Sequence, residues 1–314
     1  MAMFLFALAL IPVIALLIFI FVLDRKEKEP IWLLALLFFA GVGTAIPALL
    51  VEVPAQLILD ALIPYESAFK AYFLALAVVA PTEEIVKFLA LILITWKSKN
   101  FDYSYDAIVY AVFVSLGFAG IENIIYVFDS GWGVALLRMF TAVPGHACYA
   151  VIMGFFYSKA KNASLTNKKL SCIIYLALAL FIPTTIHGIY DALLFGLEGI
   201  ESVAAVGLSI ILWIVLVIVL FIASFILVFY SSINDFCIVT LPEDRQALYR
   251  TQVAGTWTCS CGAENRLGSC PKCGSMRPTI TAWNCPQCGT LSALNFCGNC
   301  GCAKPAEQTA SSNI

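Results

Sequence analysis

Residues 203–230 read VAAVGLSIILWIVLVIVLFIASFILVFY, without one charged side chain. A membrane-spanning helix needs about 20 mostly apolar residues, so this stretch is long enough to cross a bilayer. It also lacks the polar face that a helix on a soluble protein would turn to water. On its C-terminal side the chain changes character abruptly: from Ser231 onward the apolar runs give way to Gly, Cys, Asn and Pro. On its N-terminal side lie six more runs of the same kind, at about 3–23, 31–51, 68–94, 106–128, 133–157 and 170–194.

Composition agrees with this reading. Of 314 residues, 61% are hydrophobic and 12% charged, against roughly 25% charged in a soluble domain. A net charge of −2 is too small for the chain as a whole to steer nucleic acid. The first run has no basic leader and no small-residue cleavage site, so it reads as a retained helix and not a signal peptide. The stretch from Glu52 to Glu66, interrupted by Pro54, Asp60 and Pro64, is expected to lie at the membrane surface. The expected architecture is an all-α membrane bundle of about seven transmembrane helices in residues 1–230, surrounded by membrane lipids. A linker follows at 231–254, then a small cysteine-rich domain at 255–304 and a disordered tail at 305–314.

The basic residues orient the bundle. Arg25, Lys26 and Lys28 lie in the first loop, Lys97 and Lys99 in the third, and Lys159, Lys161, Lys168 and Lys169 in the fifth. The intervening loops supply only Lys70 and Arg138. Since basic loops stay cytoplasmic, the expectation is a multi-pass cell-membrane protein with its N-terminus outside and its C-terminus in the cytoplasm.

Against that apolar background, Glu83, Glu84, Lys87, Glu122, His146, His187 and Asp191 stand within the spans. An ionisable group costs about 2.5–3.5 kcal/mol at the centre of an inserted helix. Any one of them alone is as readily a polar tie between helices as a functional group. Four carboxylates gathered with both of the chain's histidines are harder to explain as packing. His187 and Asp191 share a helix face at i, i+4, as do Glu83 with Lys87 and Glu122 with Tyr126. Pro81, Pro144 and Pro183 precede these residues, and proline breaks are tolerated in a membrane where they line a polar cavity. Counted along the helices, Glu83, Glu84 and His146 fall near mid-membrane, the last about 13 residues into its span. Histidine nitrogen and carboxylate oxygen suit zinc with an open position for water. The same residue types also suit a proton or ion path, so the residues by themselves leave open an ion- or proton-coupled transporter. Against it, the two halves of the chain show no repeat of the kind transporters commonly carry.

The run Glu83-Glu84-Ile85-Val86-Lys87 resembles the EExxK motif of the PrsW-family intramembrane proteases. Phe118 to Glu122 resembles that family's FxxxE motif, His146 its isolated histidine after a Pro-Gly pair, and His187 to Asp191 its closing HxxxD element. The four fall in the family's order over roughly residues 30–195, and the family is related to the type II CAAX prenyl endopeptidases. The resemblance implies a membrane-embedded, metal-dependent peptidase acting on a membrane-anchored protein substrate, with zinc as the expected ion. It also implies roles. Glu83 or Glu84 would be the general base with Lys87 beside them. Glu122, His146, His187 and Asp191 would hold the metal, or the attacking water and the oxyanion.

The tail carries a second chemistry. Cys259 and Cys261 are followed by Cys270 and Cys273, and Cys285 and Cys288 by Cys297 and Cys300, with glycine after each pair. Four thiolates form a closed structural zinc site, so two zinc-ribbon-like modules are expected. On the cytosolic side disulfides are disfavoured. With few basic residues and only Trp257, Trp283 and Phe296 as stacking surfaces, no nucleic acid is expected. A docking or regulatory contact with a protein partner fits better. The purified chain should therefore carry tail-bound zinc, and Cys288→Ser should remove one ion while leaving the other. Loss of neither ion, read by elemental analysis in reducing buffer, would dismiss the two-module reading.

Overall fold

In lipid every backbone N–H and C=O must find its partner within the protein, and the apolar runs answer by becoming helices. The computed structural model describes residues 2–26, 28–65, 67–236 and 238, and in the tail 257–258, 261–262, 264–265, 283–284 and 291–292. The helices are α1 (Ala2–Leu23), α2 (Ile31–Leu62), α3 (Ala68–Phe73), α4 (Ala80–Thr95), α5 (Asp106–Ser130), α6 (Trp132–Phe140), α7 (Ala142–Leu165), α8 (Lys169–Phe195) and α9 (Val203–Ile233). A π-helical segment, Leu74–Val79, joins α3 to α4 without a break, so residues 68–95 form one continuous helical rod. Among the described residues six helices are long and apolar enough to cross a membrane, with α6 and α7 counted together, and this rod is a seventh long helix beside them. The chain is a multi-pass, all-α membrane bundle.

Two sequence expectations are corrected. The stretch after Glu52 is not interrupted: α2 runs through both Pro47 and Pro54 to Leu62. One proline removes one hydrogen bond, and a 32-residue helix retains the rest. The fifth apolar run, by contrast, is not one helix. It breaks at Thr141 (φ −125°, ψ −67°), between α6 and α7. Pro144 explains the restart, because its missing N–H and fixed φ suit a helix's first turn. His146 is consequently the fifth residue of α7, not deep in a long span.

The central element is α5, buried continuously from Asp106 to Gly120 and packed against α1, α2 and α7. Its approach to α2 depends on Gly117, where an added Cβ would lie 2.0 Å from the Phe38 carbonyl oxygen. Small residues at such crossings let two helix backbones touch.

At one end of the bundle the loops are stitched together. Asp235, just past α9, accepts hydrogen bonds from the Ser104 hydroxyl (2.8 Å) and the Tyr105 N–H (2.9 Å). The Ile238 N–H reaches the Asp102 carbonyl at 2.7 Å, and the Ser232 hydroxyl donates to the Leu23 carbonyl. The basic residues of the first and third loops thus share one end.

Residues 1–239 and 240–314 form two separate units. In the second, Trp257–Thr258 (β1) pairs antiparallel with Glu264–Asn265 (β2), and Trp283–Asn284 (β3) with Leu291–Ser292 (β4). Each pair brackets the first cysteines of one expected module. Of the eight cysteines only Cys261 is among the described residues, so the expected zinc sites lie outside them.

Glu29, in the loop before α2, is 5% exposed. Burial pushes its carboxyl up to about 7 from an ordinary 4.5, with the Asp24 charge adding to the rise and hydrogen bonds from Tyr110 and Asp106 opposing it. A raised pKa means that the folded form holds the proton more tightly. That contribution to stability is complete below about pH 4.5 and lost as the pH climbs through about 7. Thermal melts of the wild type should fall across this window, and Glu29→Gln should flatten the fall. Identical slopes for the two proteins would contradict the assignment.

Candidate metal and catalytic centre

The π-helical turn is the local device that presents the first motif. Pro81 cannot donate to the helix behind it, and the ladder shifts so that the Ala80 N–H bonds the Ala75 carbonyl, an i→i+5 bond of the kind that recurs at functional sites. Glu83 follows in the first turn of α4, with Glu84 next to it. Gly188, one residue past His187, faces this turn, and a Cβ there would lie 3.0 Å from Leu76 Cδ2. The glycine therefore lets α8 come in close.

The result is a buried ion cluster. Lys87 Nζ donates to Glu83 Oε2 (2.9 Å) and Glu84 Oε1 (3.0 Å) and lies 3.2 Å from His146 Nδ1. It also sits 4.0 Å from the centre of the Phe118 ring, a cation–π contact made by the first residue of the FxxxE element. His187 Nδ1 lies 3.0 Å from Glu84 Oε1. Glu83, Glu84, Lys87, His146 and His187 are all buried. One donor atom from each of Glu83, Glu84, His146 and His187 can be chosen so that all four lie within 4.8 Å of one another. Among the described residues no other such His/Cys/Asp/Glu group converges.

Glu122 and Asp191 stand behind the histidines. Glu122 Oε2 is 2.8 Å from His146 Nε2, and Asp191 Oδ2 is 3.2 Å from His187 Nε2. Both rings thus turn Nδ1 to the cluster and Nε2 to a carboxylate. That is the arrangement in which a carboxylate fixes the tautomer and orientation of a metal-binding imidazole. The Ser115 hydroxyl, bonded to the His146 carbonyl at 2.9 Å, fastens this turn of α7 to α5.

Several residues here escape sequence reasoning. Arg138, counted above as a loop residue, holds Glu122 Oε1 at 3.1 Å and donates through Nε to Asn123 Oδ1 at 3.1 Å. Asn123 in turn donates to the Ala9 carbonyl, so a chain of polar contacts runs from α1 to His146. Glu52 and Tyr149 join Glu83, Glu122, His146, His187 and Asp191 around a cavity of about 580 Å³, within the usual size of ligand sites. A cation alone in an apolar segment was a signal for Arg138. The α2 continuation that carries Glu52 left no such mark.

A histidine–carboxylate cluster in a cavity among apolar helices defines a membrane enzyme site able to hold a metal. The chain matches the family described as "PrsW family intramembrane metalloprotease" over residues 29–224, and it belongs to that family. It is 34% identical to Protease PrsW of Oceanobacillus iheyensis over 204 residues, covering 65% of this chain and 88% of that one. It is 34% identical to Protease PrsW of Clostridioides difficile over 194 residues (60% and 79%) and 33% identical to that of Bacillus subtilis over 187 residues (60% and 81%). No solved structure matches the chain. This is a membrane peptidase.

The donor set fits a divalent ion: two imidazole nitrogens and two carboxylates, each imidazole backed by an acid. The Lys87 ammonium now supplies the positive charge at that point, and a metal at His146 Nδ1 would compete with it for one lone pair. Lys87→Met should therefore raise the affinity for zinc by at least about tenfold, because a like charge about 4 Å away opposes binding by on the order of 4 kcal/mol at an effective dielectric of 20. Isothermal titration of the metal-free protein reads this directly, and an unchanged or weaker affinity would rule the competition out.

Proposed function

We propose that the protein hydrolyses a peptide bond of a membrane-anchored protein at a zinc ion held by Glu84, His146 and His187, with Glu83 as general base. The observation that carries the division of roles is access. Glu83 lines the cavity and Glu84 does not, while Glu84 Oε1 is already committed to Lys87 and His187. Charge supports the ion as well. Counted as ionised, the four motif carboxylates exceed Lys87 and Arg138 by two, and a divalent cation offsets the difference where lone charges are costly.

A zinc ion in such a site supplies Lewis acidity: it lowers the pKa of water and polarises a carbonyl. Glu83 takes a proton from water as the water oxygen bonds to the carbonyl carbon and the C=O π pair moves to oxygen. When the C=O re-forms and the C–N bond breaks, Glu83 returns that proton to the departing amine nitrogen. Glu122 and Asp191 keep both imidazoles oriented throughout. Arg138 holds Glu122 in turn.

The tail enters the proposal as a regulatory or docking module on the cytoplasmic side, folded around two structural zinc ions and read by a protein partner. The basic loops support that orientation.

Cells producing the wild type should show new protein termini within membrane-anchored proteins that are missing from cells producing Glu83→Gln. Losing a general base costs roughly 10²–10⁴ in rate, so cleavage should fall below detection while zinc content is kept. Glu84→Gln and His187→Ala should lose zinc as well as cleavage. The same termini produced by all three variants would remove the peptidase mechanism, and ion flux sensitive to these substitutions would favour a transporter.

A further inference from the structure

We infer that Tyr149 is a catalytic residue outside the family's four motif elements, whose hydroxyl donates a hydrogen bond to the oxyanion formed when the scissile carbonyl is attacked. The inference rests on the peptidase reading. Its first observation is an orphan: Tyr149 is 1% exposed, yet its hydroxyl has no hydrogen-bond partner among the described residues. Buried Tyr hydroxyls are normally paired, and an unpaired buried polar group costs stability. Such a group calls for a reason, among them a catalytic role.

The second observation is position. Tyr149 lines the cavity together with Glu83, His146, His187 and Asp191. Its ring stacks on His187, with centroids 4.7 Å apart and planes 20° from parallel, and stands edge-on to His146 at 6.0 Å. The two proposed metal-binding imidazoles thus fix the phenol on both sides. Its oxygen points back toward the start of α7, 3.4 Å from where a Cβ on Gly145 would be. The α7 N-terminus there adds positive potential.

The third is chemical complementarity. Glu52, Glu83, Glu122 and Asp191 line the cavity, and ionised carboxylates repel a developing oxyanion. Lys87 and Arg138 already have carboxylate partners. The Tyr149 hydroxyl is a neutral donor with its hydrogen uncommitted. A preorganised donor of this type stabilises the charge on the carbonyl oxygen and needs no reorganisation at the moment of reaction. No proton is transferred in this step. The O–H stays intact, and the oxygen's electron pair returns to re-form C=O as the C–N bond breaks.

The test uses full-length, zinc-loaded protein in detergent, an apolar phosphinic peptide as the tetrahedral anionic probe, and the planar amide peptide of the same sequence. Tyr149→Phe keeps the ring and its stacking. It should bind zinc as the wild type does and melt no lower, since an unpaired hydroxyl is removed. It should bind the phosphinic probe roughly 10- to 100-fold more weakly, the effect of one hydrogen bond to a charged acceptor, and the amide equally well. Equal phosphinic affinity would overturn the inference alone, showing a hydroxyl served only by solvent. A lower melting temperature or lost zinc would overturn it in favour of a structural hydroxyl. A wild type that binds zinc but not the phosphinic probe would overturn the peptidase reading, and the inference with it.

Discussion

The arrangement depends on one buried ammonium. Lys87 Nζ is shared by two carboxylates and an imidazole and is buried. Removing one partner from a buried ion pair costs about 3–5 kcal/mol, because the other charge is left uncompensated. Glu83, Glu84 and Lys87 therefore compensate one another's charge within the apolar bundle. Within one helix the i, i+3 and i, i+4 spacing sets this triad in register before any tertiary contact forms. The other helices then supply what the triad lacks: His146 from α7, His187 from α8 and the Phe118 face from α5.

Bringing those three in requires irregular backbone at defined places. The π-helical turn before Pro81 re-aims the glutamates and carries its cost where α8 packs over it at Gly188. The break at Thr141 starts a new helix just before His146, so the histidine sits near the start of α7, where the Ser115 hydroxyl pins it. Such departures are tolerated at membrane depth only when protein or a polar cavity surrounds them. Here they border the same cavity.

The fold was legible where the physics is local. Apolar length fixed the helices at 3–23 and 203–230 closely, and i, i+4 spacing foretold the Glu83–Lys87 and His187–Asp191 contacts. Non-local geometry was not legible. Nothing in the pattern around Pro54 distinguishes a proline absorbed by a long helix from one that ends it. Pro144 starts a helix where Pro183 lies within one, although each precedes a histidine by two to four residues. Arg138 and Glu122 are sixteen residues apart on separate helices, so their contact could be seen only once the turn at Gly131 (φ +82°) had folded α6 back on α5. The resemblance supplied the motif residues and was silent on Glu52, Arg138 and Tyr149.

The unpaired polar atoms on the cavity wall acquire a common meaning in the proposed reaction. A transmembrane substrate helix satisfies its own backbone, and its carbonyls are closed to attack. Cleavage requires a few residues to unwind, and in hydrocarbon each freed N–H and C=O costs several kcal/mol if left unpaired. Glu52 Oε1 and Tyr149 Oη are buried, without a hydrogen-bond partner among the described residues, and belong to residues on the cavity wall: one is an acceptor, the other a donor. The enzyme's unspent hydrogen bonds lie where an unwound segment would bring its own. In the proposed reaction such a segment would recover the stability lost by leaving these bonds unmade in the free enzyme.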